Sequence, residues 1–279
     1  MKKMFIVLLP FVNALLLTGC GGGDSPPAAL PGPPMTPTPG TSSLYIGYYT
    51  ESPDADKEDP TPGILYAFLP DDSTPFSGEF FFSYAGCVGS TDTGLLDGLR
   101  MNGGSGDSIS GTWSGDVDGN IHSGAFSGNA LADGIFTGIW TRNGGSQQFR
   151  FGKVPFVCHY TFAGRGDFTL YPVDSGTLPI DVDLTDPAMP VFTFDLSNLA
   201  TWYNLNVFDA DCLAAGGGVS TCLMWYLRQT TSGGPTTVTY GMGGSAAQPL
   251  QGANHVVTVM SSDANGAVQD YGSSAFSGP

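Results

Sequence analysis

Residues 94–140 read GLLDGLRMNGGSGDSISGTWSGDVDGNIHSGAFSGNALADGIFTGIW, and a five-residue frame recurs in them: Gly94-Leu95-Leu96-Asp97-Gly98, Gly111-Thr112-Trp113-Ser114-Gly115, Gly124-Ala125-Phe126-Ser127-Gly128 and Gly134-Ile135-Phe136-Thr137-Gly138. Each frame centres one large apolar side chain, and around Trp113 and Phe126 the residues on either side are small. Because successive strand residues point to opposite faces, the central side chain and its two flanking glycines share one face of a strand. The frames recur at the spacing of hairpins, and Asp118-Gly119-Asn120 fits a tight turn between two of them. Glycine inside a strand permits the bends that curl a sheet. The stretch therefore predicts an antiparallel up-and-down meander able to close into a small barrel.

Outward from the frames the strand signals continue. Upstream lie Leu44 to Tyr49, Ile64 to Phe68 and Phe80 to Tyr84; downstream lie Gln148 to Phe151 and Val157 to Phe162. All are rich in aromatic and β-branched residues and are framed by turn residues. From Gly166 the frame disappears and longer alternating strands follow: Phe168 to Tyr171, Ile180 to Leu184, Val191 to Leu196, Tyr203 to Phe208, Leu223 to Arg228, Thr236 to Tyr240 and His255 to Met260. Ile180, Val182 and Leu184 against Asp181 and Asp183 mark a half-buried strand. No run of ten residues carries a 3.6 period. The expectation is an all-β chain, with a Gly-rich antiparallel meander or small barrel over residues 44–165 and a second, sandwich-like β domain over residues 166–279.

The chain opens differently. Lys2 and Lys3 precede an apolar run from Phe5 to Leu17, closed by Leu17-Thr18-Gly19-Cys20. About 13 apolar residues at 1.5 Å rise fall short of a hydrocarbon core of roughly 30 Å, so the run reads as an export signal. Leu17-Thr18-Gly19-Cys20 resembles the lipobox of bacterial lipoproteins. The resemblance implies that residues 1–20 form a signal segment cleaved before Cys20, with diacylglycerol on the Cys20 thiol and an acyl chain on its new amino terminus. By the same resemblance, Gly21 and Gly22 in place of an acidic residue imply the outer membrane. Residues 21–43, with seven Pro and five Gly, read as a linker.

The frames themselves are similar to the β-barrel of transferrin-binding-protein-like surface lipoproteins. Ile109-Ser110-Gly111-Thr112-Trp113, Gly124 to Ala130, Gly134 to Gly138 and Gly144-Gly145-Ser146-Gln147-Gln148-Phe149 carry the likeness over about a fifth of the chain. It implies a barrel and carries over no binding residue, and the acidic residue usual ahead of that family's Gly-Gly is absent here.

With Lys2 and Lys3 removed, seven cationic side chains face 25 acidic ones, a net charge of −18. Nucleic acid is a poor partner for such a surface. Glu51, Asp54, Asp56, Glu58 and Asp59 gather carboxylates fit for Ca²⁺ in the segment Glu51 to Asp59, although the Gly and Glu positions of a defined Ca²⁺ loop are missing. The plainer reading is a solvated acidic loop without a cofactor. Cys87, Cys158, Cys212 and Cys222 are an even set in an exported chain, so two disulfides are expected, Cys212 with Cys222 and Cys87 with Cys158, the short loop being the easier to close.

Chemistry-bearing motifs are sparse. Asp92-Thr93-Gly94 and Asp174-Ser175-Gly176 resemble aspartic-protease triplets but sit only 82 residues apart and fit hairpin turns equally. His122, His159 and His255 lie far apart in strands, without a Gly-x-Ser-x-Gly elbow. Arg165-Gly166-Asp167 is an adhesion-type tripeptide at an expected turn. Trp113, Trp140, Trp202 and Trp225 stack on sugars if exposed and fill cores if not. The expectation is thus a lipid-anchored cell-envelope lipoprotein that binds a protein or small molecule, with no catalytic residue assigned; an envelope hydrolase of unrecognised type is the alternative.

Overall fold

The computed structural model describes residues 42–51, 62–71, 73, 75–83, 91–103, 106–117, 120–145, 147–151, 158–162, 164–250 and 254–279. The first strands are β1 (Ser42–Glu51), β2 (Gly63–Pro70), β3 (Pro75–Ser83), β4 (Thr91–Gly103), β5 (Gly106–Val117), β6 (Asn120–Ala130) and β7 (Phe136–Arg142). A separate hairpin, β8 (Gln147–Phe151) with β9 (Cys158–Phe162), precedes β10 (Arg165–Pro172). Neighbouring strands pair antiparallel from β1 through β7, and β10 then bridges β7 to β1, sealing an eight-stranded closed barrel. The expected all-β meander is present, and it closes.

The Gly frames explain how so narrow a barrel is filled. Inside it pack Tyr45, Leu65, Leu69, Phe76, Ile109, Trp113, Phe126, Phe136, Trp140, Phe168 and Leu170. Across their strand pairs, Trp113 faces Gly124, Phe126 faces Gly111, Trp140 faces Gly166, Phe168 faces Gly138, Phe76 faces Gly98 and Tyr49 faces Gly63. An eight-stranded barrel leaves an interior just wide enough for side chains, and each of these rings gains its room from a glycine opposite it on one neighbouring strand. Gly124 makes the limit plain: a Cβ there would lie 1.8 Å from Thr141 O and 2.5 Å from Trp113 Nε1. Trp113 Nε1 donates to Thr141 O at 3.0 Å and Trp140 Nε1 to Thr50 O at 2.9 Å, so both buried indoles are satisfied by strand carbonyls. The two rings meet edge to face with centroids 5.9 Å apart.

The strand expected at Phe168 to Tyr171, as the first of a second domain beyond residue 165, spans Arg165–Pro172. It instead closes the barrel, because Phe168 and Leu170 on its inner face complete the aromatic interior. The second unit begins after it and comprises β11 (Asp181–Asp183), β12 (Val191–Leu196), β13 (Trp202–Asp209), the helices α1 (Ala210–Ala214) and α2 (Val219–Cys222), β14 (Leu223–Thr230), β15 (Gly234–Thr239), β16 (His255–Ser262) and β17 (Val268–Phe276). A three-stranded sheet ordered β11-β12-β15 packs on a four-stranded sheet ordered β14-β13-β16-β17. Phe192, Phe194, Leu196 and Val238 from the first meet Tyr203, Leu205, Val207, Trp225, Leu227, Val257 and Val259 from the second, which is the expected sandwich.

The four-stranded sheet is covered on its other face too. Ile46, Ile64 and Tyr66 on the barrel exterior pack with Phe208, Leu213 and Val256, while Tyr48 and Tyr171 pack with Met260 and Tyr271. This second cover leaves β16 buried along its whole length. The described residues therefore form three layers: small sheet, four-stranded sheet and barrel wall.

Candidate binding site on the central sheet

Positions singled out in the sequence distribute widely. Cys20, Cys87 and most of the acidic segment, residues 52–61, lie outside the described residues; Glu51 ends β1. Among the described residues no three His, Cys, Asp or Glu side chains gather with metal-site geometry. Cys158 opens β9. Cys212 and Cys222 are bonded, with S–S 2.05 Å and Cα atoms 5.5 Å apart. Where a flexible connection was expected between them, the segment forms two short helices, since Asp209 caps the first by accepting from Cys212 N at 2.8 Å. This helical corner docks on the barrel: Tyr66 Oη donates to Gly217 O at 3.0 Å, and Gly218 lies against the buried carboxylate of Glu79. Burial, and then the Glu79 charge, raise the Tyr66 pKa.

The titratable candidates sit on separate elements, with Asp92 in β4 and His159 in β9. His122 accepts from Arg142 Nε at 3.0 Å on Nδ1, both on the inner face of the barrel wall. His255 is wholly buried beside Phe276, with no hydrogen-bond partner of good geometry at either ring nitrogen. Burial lowers its pKa, and the carboxylates of Asp209 and Asp211 oppose that shift. Asp174 sits in a turn at φ 64° and accepts from Ala275 N, a structural use of the residue. Arg165-Gly166-Asp167 lies in strand β10 rather than at a turn, with Gly166 opposite Trp140 inside the barrel wall.

Of the four tryptophans, Trp113, Trp140 and Trp225 are buried, whereas Trp202 is 38% exposed at the start of β13. Trp202, Asn204 and Asn206 alternate on the barrel-facing side of that strand, while Tyr203, Leu205 and Val207 fill the sandwich core. Asn204 faces Arg228 on β14, and the Arg228 guanidinium carbon lies 4.7 Å over the Trp202 ring. Leu199, 68% exposed, lies three residues before Trp202. Deeper along the strand, Asn206 Nδ2 donates to Thr258 Oγ1 at 3.4 Å. Asn204 is 7% and Asn206 1% exposed, and the Oδ1 atoms of both are buried without a hydrogen-bond partner. Native interiors leave few polar atoms in that condition. Asn206 and Thr258 sit between the Phe208–Val256 contact with the barrel and the Met260–Tyr271 contact, forming a polar band between two apolar ones.

Sequence reasoning missed this row. Tyr203-Asn204-Leu205-Asn206-Val207 has the alternation of a strand with one wet face, and nothing local announces that a barrel covers the asparagines. The signal available was the pair of amides flanked by Trp202.

No family model matches this chain, and no curated protein matches it. Among solved structures it is similar to the glycoside hydrolase domain of Endo-D from Streptococcus pneumoniae R6, at 11% identity and TM-score 0.24, over 76% of this chain. The matched region is 37% of that chain, and a likeness of this degree carries no functional argument.

Proposed function

We propose that this chain is a lipid-anchored binding lipoprotein of the bacterial cell envelope, held at the outer membrane through Cys20 and engaging its ligand on the central sheet. The observation that carries the binding half is the Trp202–Arg228 pair, a solvent-facing stacked aromatic at the rim of a row of buried, unpaired amide oxygens. Interfaces and ligand sites favour this combination of a rigid aromatic and a few placed polar groups. The anchoring half is supported by the basic head, apolar run and Leu17-Thr18-Gly19-Cys20 in order. Two chains on one residue anchor far more firmly than one, at about 0.8 kcal/mol for each buried methylene.

Cell fractionation tests the anchor. The wild-type chain is expected in outer-membrane fractions after a carbonate wash, and Cys20→Ser in the soluble fraction. A Cys20→Ser chain that stays with the membrane refutes lipid attachment, and co-migration of the wild type with inner-membrane markers refutes the sorting.

A further inference from the structure

The row from Trp202 to Asn206 also has a chemical preference. We propose that it is a site for a neutral saccharide, with Trp202 as the stacking platform and Asn204 as the hydrogen-bonding residue beneath it. The proposal rests on reading the chain as a binding protein.

Three observations point to that ligand class. Along β13 the Oδ1 atoms of Asn204 and Asn206 are acceptors that need donors, and their burial makes an unmet acceptor costly. For Asn206 the Thr258 contact fixes the carboxamide, so its free oxygen is aimed away from Thr258. Sugar hydroxyls donate without bringing charge. Second, the indole of Trp202 offers a flat apolar surface on which the C–H face of a pyranose packs, and it is the exposed member of the four tryptophans. Third, charge selects against the other ligands that stack on an indole. Cationic ligands meet the guanidinium already over the ring, and anionic ligands meet a chain of net charge −16 before any processing.

Arg228 also supplies the means of entry. Its backbone faces Asn204, but its guanidinium reaches two positions along the neighbouring strand to lie over Trp202, crossing the mouth of the row. Arg228 is half-buried, so uncovering the ring requires its side chain to change rotamer. Swinging away, it uncovers the ring for stacking and brings the Asn204 Oδ1 within reach of a hydroxyl; Asn206 lies one step deeper and receives a donor only from a ligand that penetrates.

Acrylamide quenching of tryptophan fluorescence in the detergent-solubilised full chain tests the assignment, because Trp202 dominates the quenchable signal. Maltotriose, cellotriose and chitotriose are the neutral probes, with trigalacturonate and choline as charged controls. At least one neutral trisaccharide is expected to lower the quenching constant about twofold, and calorimetric titration of the same sugar is expected to weaken roughly tenfold in both Trp202→Ala and Asn204→Ala, the size of one lost hydrogen bond to a buried group. Near-UV circular dichroism checks that each variant is folded; Trp202→Ala, at an exposed position, serves if Asn204→Ala is not. Protection by none of the three sugars, protection by trigalacturonate or choline alone, or affinity unchanged in the folded variants overturns the proposal. A chain that binds a sugar yet fractionates as soluble leaves this site standing and refutes the anchor instead.

Discussion

Replacing Gly124 by Ala adds one methyl group to the barrel and tests why the frames exist. The new Cβ would lie 1.8 Å from Thr141 O and 2.5 Å from Trp113 Nε1, and the nearer obstacle is backbone, which no rotamer change relieves. Strands β6 and β7 must separate where Ala125 faces Thr141, and the Trp113 indole must move off the carbonyl to which it donates. Overpacking of this kind costs about 1–3 kcal/mol, and loss of the indole hydrogen bond adds about 1 kcal/mol. The expected destabilisation is about 2–4 kcal/mol, read as a Tm lower by roughly 4–16 °C for a unit of this size. Urea denaturation followed by fluorescence, with near-UV dichroism reporting the Trp113–Trp140 contact, measures it. Ala125→Ser, one residue on but on the exposed outer face, is the control and should stay within about 0.5 kcal/mol of wild type. If Gly124→Ala were as stable as that control, the glycines would not be making room for the rings, and the account of barrel closure would fail.

Breaking the Cys212–Cys222 bridge with Cys212→Ser should lower stability by about 3 kcal/mol through the freed 11-residue ring and loosen the helical corner on Tyr66; unchanged urea midpoints in oxidised and reduced protein would contradict this. Alkaline pH should unfold the chain through its buried tyrosines. Burial raises the pKa of Tyr66, Tyr171, Tyr203, Tyr240 (to about 12) and Tyr271, so the stability they contribute is complete below pH 10 and is lost as pH climbs through their folded values. A spectrophotometric titration should therefore show a late phase coincident with loss of the β-sheet dichroism, and ionisation of all 11 tyrosines near pH 10 in a still-folded chain would refute it.

The frames around Trp113, Phe126 and Phe136 disclosed the barrel because their cause is local: one ring per strand segment with glycine on the same face. The sandwich strands were legible for the same reason, through alternation such as Ile180, Val182 against Asp181, Asp183, whose carboxylates do stand exposed. Closure was not legible. Phe168 and Leu170 alternate like any half-buried strand, and their partners on β1, Tyr49 and Gly47, lie far upstream in the sequence. Nor was the covering of β13 legible, since Asn204 and Asn206 signal solvent wherever no second body covers them. Long-range contact decided both, and single-sequence patterns report only short-range chemistry.

The pairing of the first barrel strand with the last has a consequence in time. Tyr45 must find Pro172, and Glu51 must find Gly166, before the cylinder is sealed. Contacts so distant along the chain form late, because the loop entropy is spent before they reward it. Until residue 172 is available, strands β1 and β7 both present open edges and the aromatic interior has a gap where Phe168 belongs. A polypeptide emerging amino-terminus first is thus kept from locking into its native cylinder during most of its synthesis. Such late sealing gives any chaperone a defined target: a sheet with two unpaired rims that vanish together in one step.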